Sequence, residues 1–94
     1  MTTMNLTIDG ELNFARMPEL MKRADGIAAS GQLDAAGITR VDSAGLAFLL
    51  ELTRRARARG SNFVIRNAKP SLVSLATFFG LIGILRFESP GDTV

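Results

Sequence analysis

Asp42 and Ser43 set a carboxylate beside a hydroxyl where an extended run gives way to a long amphipathic helix, within Val41-Asp42-Ser43-Ala44-Gly45-Leu46. The first N–H groups of a helix lack intrahelical acceptors and carry the positive end of its dipole, so either side chain can cap them. A phosphoryl group on Ser43 would meet the same donors. Two chemistries therefore share this stretch: an ordinary Asp/Ser helix cap, and a modifiable hydroxyl that a second protein recognises. Small residues at 44 and 45 let the first turn pack closely in either case.

Catalysis has little to work with. The chain contains no histidine and no cysteine, which removes imidazole bases, thiolate nucleophiles, disulfides and nearly all zinc geometries. No lysine or carboxylate has motif spacing to Ser43 that would activate it as a nucleophile. Asp34 and Asp42 can approach each other at the strand-to-helix corner, but no electrophile site accompanies them. A phosphate-cradling glycine loop followed by Lys-Ser/Thr is absent, so no nucleotide site is expected, and no other cofactor or metal is. Gly80-Leu81-Ile82-Gly83 reads as a helix stop and turn rather than a dinucleotide fingerprint.

The 94 residues suffice for one domain over 1–94, and 47% apolar composition argues for an ordered core. Formal net charge is +2, a weak bias toward phosphates or acidic surfaces. The longest apolar run, Phe78 to Leu85, is too short to cross a bilayer. Without cysteine or a secretory pattern at the N-terminus, cytoplasmic residence is expected.

The elements that must hold the Asp-Ser corner follow from periodicity. Met4 to Asp9 alternates apolar and polar residues as a half-buried strand does, and Gly10 permits a turn from which Glu11-Leu12-Asn13 pairs back. From Phe14 to Ala29, the residues Met17, Leu20, Met21, Ala24, Ile27 and Ala28 share one helical face, with Pro18 in the first turn and Ser30-Gly31 as the stop. Gln32 to Ala36 reads as a short strand leading into Gly37. Ser43 to Arg59 is the strongest helix, with a core stripe of Leu46, Leu49, Leu50, Thr53 and Ala56 and a stop at Gly60. Its opposite face carries Ala44, Ala47, Glu51, Arg54 and Arg55, with Phe48 at the margin, and makes a candidate contact surface.

Four arginines within positions 54–59 fan around more than half of the helix, without Tyr or Trp to stack on bases. They read as a solvated helix end that offsets the dipole, and nucleic acid is not an expected partner. Asn62 to Asn67 gives a buried strand, and Pro70 opens a third helix with Leu72, Leu75, Ala76 and Phe79 on one face. Ile84-Leu85-Arg86-Phe87 gives a last edge strand. The sum is an α/β fold: a mixed sheet of four or five strands with three helices.

The run from Leu33 to Leu46, with its Asp-Ser-Ala-Gly-Leu core at 42–46, resembles the central signature of STAS domains. These are anti-sigma-factor antagonists and related modules. Gly10-Glu11-Leu12 resembles that family's first turn, and the order of the later elements agrees. Val41 to Leu50 is most similar to the STAS subunit of Mla-type ABC transporters, which move phospholipids to maintain outer-membrane asymmetry. The resemblance implies a non-catalytic protein docked on the transporter's ATPase, touching the membrane only through that complex. It puts Asp42 and Gly45 on the family motif, and Ser43 at a position that is phosphorylated in sigma-regulating members and is a contact residue in transporter members. Under that reading Asp42, Ser43, Ala44, Gly45, Ala47, Phe48, Glu51, Arg54 and Arg55 meet the partner, with Phe48 as the apolar anchor. The alternative makes Ser43 the phosphoacceptor of a kinase-type anti-sigma factor. Where many members carry Asp-Leu-Ser-Gly before the motif, this chain has Asp34-Ala35-Ala36-Gly37, one hydroxyl fewer.

Overall fold

The computed structural model describes residues 6–88. Its elements in order are β1 (Gly10–Leu12), a 3-10 turn (Phe14–Arg16), α1 (Met17–Ser30), β2 (Gln32–Asp34), β3 (Ile38–Val41), α2 (Ser43–Ala58), β4 (Val64–Arg66), α3 (Pro70–Phe78) and β5 (Arg86–Glu88). Five strands and three helices make the α/β fold that the alternation of periods implies.

The helix ends lie close to where the sequence marks them, except that α1 starts at Met17 rather than Phe14, because Phe14–Arg16 forms the 3-10 turn. Pro18 sits in the first turn of α1, where its missing N–H costs nothing, and Gly31 closes the helix with φ 83° while its N–H reaches the Ala28 carbonyl at 3.1 Å. Gly60 follows α2 with φ 82°.

The sheet departs from expectation in its pairing. No hairpin forms at Gly10, although this residue does take φ 85°. The chain runs on instead, and β1 pairs in parallel with β3, matching Leu12 to Val41, with an irregularity between Gly10 and Glu11. Arg16 braces that irregular stretch, since one guanidinium nitrogen donates to the carbonyls of Asp9 at 2.6 Å and Glu11 at 2.8 Å. Upstream, Thr7 bridges in parallel to Asp34 of β2. Met4 and Asn5, which open the expected first strand, lie outside the described residues.

On the other side β2, β4 and β5 pair in that order, again in parallel. Every strand pairing among the described residues is thus parallel rather than mixed. The expected strand Gln32–Ala36 stops at Asp34, whose carboxylate accepts from the Ala36 N–H at 2.9 Å and bends the chain into β3.

Leu12, Leu20, Ile27, Leu33, Leu49, Leu52 and Ile65 are buried together at the centre of the core. Met21, Phe79 and Phe48 depart most from their expected places. Met21 and Phe79, assigned to core faces, are 41% and 51% exposed, whereas Phe48, assigned to the open margin of α2, is 2% exposed.

Gly45 explains the last of these. A Cβ there would collide with the Leu12 carbonyl oxygen and lie 2.9 Å from both Leu12 Cγ and Val41 Cγ1. Only a residue without a side chain lets α2 approach the ends of β1 and β3 this closely. The buried side of α2 then comprises Gly45, Leu46, Phe48, Leu49, Leu52, Thr53 and Ala56, its centre roughly 50° round from the stripe read off the sequence.

Two glycine substitutions with opposite signs test this packing. Gly45→Ala, which would ordinarily improve a helix, is expected to destabilise by about 1–3 kcal/mol through overpacking against main chain. Gly26→Ala in α1, where a Cβ meets nothing within 4 Å, is expected to stabilise by about 0.4–1 kcal/mol. Urea denaturation of the two variants checks both signs.

Candidate functional site

Asp42 is the N-cap of α2, in extended conformation, and its two carboxylate oxygens do different jobs. Oδ1 accepts from the Gly45 N–H at 2.9 Å and closes the first turn, while Oδ2 accepts from the Phe14 N–H at 3.1 Å. The second bond spans 28 positions of sequence. The Asp42 main chain adds to the joint, donating to the Leu12 carbonyl at 3.2 Å and accepting from the Leu46 N–H at 3.1 Å. One residue therefore fixes the end of β1, the 3-10 turn and the start of α2 relative to each other.

Ser43, the first residue of α2, is exposed beside this joint, and its hydroxyl makes no hydrogen bond among the described residues. Ala47 is exposed and Ala44 half-buried on the adjoining surface. Gly45 and Phe48, expected to meet a partner, are instead core residues: Gly45 is the close-approach point and Phe48 packs inward. They shape the surface from below without presenting side chains to it.

Two apolar residues take the place given to Phe48. Phe14, tied through its N–H to Asp42, is 75% exposed. Its assignment to the start of the first helix concealed it, because nothing local in the sequence joins position 14 to position 42. Leu50, assigned to the core stripe, is only partly buried. Its signal was present, since seven residues is two helical turns and puts Leu50 on the side of Ser43.

The charged residues are paired within the chain. Glu51 accepts from Arg54 at 2.9 and 2.7 Å and from Arg55 at 2.7 Å, and Arg55 also reaches Asp25 of α1 at 3.0 Å. The two guanidinium groups hold the Glu51 carboxyl down to about 2, Arg54 contributing most. Arg55 is thereby a strut between α1 and α2, and Arg54 the more open end of the network. Asp34 and Asp42 have separate partners, since Asp34 accepts from Asn67 Nδ2 at 3.0 Å beside β4. They form no acid-base pair. Among the described residues no group of carboxylates is arranged to hold a metal ion, and no helix is long and apolar enough to cross a membrane.

A rigid corner with an open hydroxyl, small neighbours and a projecting phenylalanine is suited to recognition by another protein. The family model described as "Mlab, STAS domain" matches residues 2–86. No curated protein matches the chain.

The Asp42 joint has a pH signature. The N–H of Gly45, then that of Phe14, hold its carboxyl below the ordinary carboxylate value. A carboxyl depressed in the folded state stabilises fully above its unfolded value, near pH 4, and that contribution is lost as pH falls through the folded value. Asp42→Asn turns one amide N–H against the Phe14 or Gly45 N–H. It is therefore expected to lower the thermal midpoint at pH 7 by several degrees and to make the fall below pH 4 shallower than in the parent. Coincident acid limbs in scanning calorimetry would contradict the double cap.

Proposed function

Because this chain belongs to the Mlab-type STAS domain family, we propose that it is a non-catalytic subunit that docks on the ATPase of an Mla-type ABC transporter and supports phospholipid transport for outer-membrane asymmetry. Its place is then the cytoplasmic side of the inner membrane. The exposed Ser43 on the Asp42 joint carries this reading. A partner can approach within van der Waals distance of Ser43, Ala44 and Ala47, because no long side chain stands among them. Phe14 and Leu50 supply apolar area at the edge of the same corner. Aromatic residues of this kind concentrate binding energy at interfaces, whereas rim charges tune association rate and partner choice. The Glu51-Arg54-Arg55 network belongs to the rim.

A second reading rests on the same hydroxyl. Ser43 is accessible at a helix start, so a kinase-type anti-sigma factor could phosphorylate it. The added charge of about −1.5 to −2 beside Asp42 would expel a partner by repulsion and desolvation. Incubation with such a kinase followed by mass spectrometry decides this reading, and an unmodified Ser43 counts against it.

Docking predicts that Ser43→Glu or Ala47→Arg abolishes co-purification with the ATPase while circular dichroism is unchanged. Retained binding in both variants would exclude this face. Phe14→Ser is expected to weaken the complex by about tenfold or more without lowering stability. Phe48→Ser is expected to destabilise the fold itself by about 3–5 kcal/mol, as truncation of a buried phenylalanine does.

A further inference from the structure

Far from Ser43, the last turns of α2 meet the segment that follows α3, and there the surface is both apolar and basic. Phe78 and Phe79 close α3 with their rings edge to face, centroids 5.4 Å apart, and are 83% and 51% exposed. Gly80 then reverses the chain with φ 74°, and Ile82 and Ile84 are each 46% exposed. This is a dense exposure of large apolar side chains for a domain that buries Phe48, Phe63 and eight of its twelve leucines.

Charge accompanies it. Ile82 and Ile84 line a cleft of about 350 Å³ with Arg57 and Arg86, and among the described residues no carboxylate lines that cleft. Arg57 has no ion-pair partner among the described residues, and Glu88 is shared between Arg86 at 3.6 Å and Arg66 at 3.8 Å. Among the described residues the neighbourhood stays positive.

We propose that this turn is a bilayer-contacting surface, with Phe78, Phe79, Ile82 and Ile84 entering the boundary between headgroups and acyl chains while Arg57 and Arg86 meet lipid phosphates. Charge and exposure together select the occupant. Anionic lipid supplies an apolar layer and negative charge side by side over a broad surface, as amphipathic elements with a basic rim require. A protein occupant would need a pocket for a projecting Phe78 and, independently, acids opposite both arginines. A patch this small gives weak and reversible association, which orients a chain held elsewhere rather than anchoring it. Ser43 lies about 20 Å away along α2, so both surfaces can be used at once. The inference does not rest on the identity of the protein partner.

The chain has no tryptophan, so Phe78→Trp provides a single fluorescent probe at the tip of the patch. Titrated with phosphatidylcholine vesicles containing phosphatidylglycerol at low salt, the Trp emission is expected to shift to the blue and the protein to sediment with the vesicles. Pure phosphatidylcholine should leave both nearly unchanged. Phe78→Ser/Phe79→Ser should cut partitioning about tenfold or more, and Arg57→Gln or Arg86→Gln about fivefold each. All four positions are exposed, and retained circular dichroism shows that the variants fold. Three results would overturn the proposal: no blue shift with anionic vesicles, undiminished partitioning of the double serine variant, or a lipid-free dimer that the double serine variant abolishes. The last would assign the patch to a second copy of the chain. Because the ATPase takes no part, these results and those at Ser43 can fail independently.

Discussion

The close approach of Gly45 to the Leu12 main chain is the constraint on which the rest of this structure depends. It brings the first turn of α2 against the ends of β1 and β3, and only that proximity lets one Asp42 carboxylate reach both the Gly45 and Phe14 N–H groups. The backbone that carries Ser43 is then held by three chain segments rather than by a loop. A recognition surface built this way loses little conformational entropy when a partner binds, because its backbone is already fixed.

The same contact decides what the surface is made of. Turning α2 inward at Gly45 sends Phe48 into the core and leaves Ala47, Ser43 and part of Leu50 outside. Glu51, Arg54, Arg55 and Asp25 pair with one another, so the charges beside the corner are largely compensated within the chain. Shape and small size therefore favour close contact at the corner, and Arg57, without an ion-pair partner among the described residues, lies at the other end of the helix beside the turn that follows Phe78. A single helix thus separates a small, nearly neutral corner from an apolar and basic one.

Much of this was legible in the residues. The limits of α2 follow from Asp42 and Gly60 and the end of α1 from Gly31, and the exposed Phe78 lies off the expected Leu72-Leu75-Ala76-Phe79 face of α3. These are local signals, each resolved within one helical turn. The parallel pairing of β1 with β3 was not legible, because Gly10 fits a hairpin equally well and the deciding contacts, from Arg16 and from Ile38–Val41, come from elsewhere in the fold. Phe48 was misplaced for a related reason. Hydrophobic periodicity fixes a helix's buried face only to within half a residue step or so, and here the missing side chain of Gly45 sets the final rotation. Phe14 could be joined to the site only through a hydrogen bond across 28 positions.

In the proposed complex a protein partner seats directly on the rigid corner at the start of α2. The most direct test is a nitrogen-15 NMR titration of the intact chain with the ATPase subunit, following every backbone amide. Docking at the corner is expected to shift or broaden the signals of Phe14, Ser43, Ala44 and Ala47 first and most. If those amides stay unchanged while others respond to bound ATPase, the corner is not the docking surface.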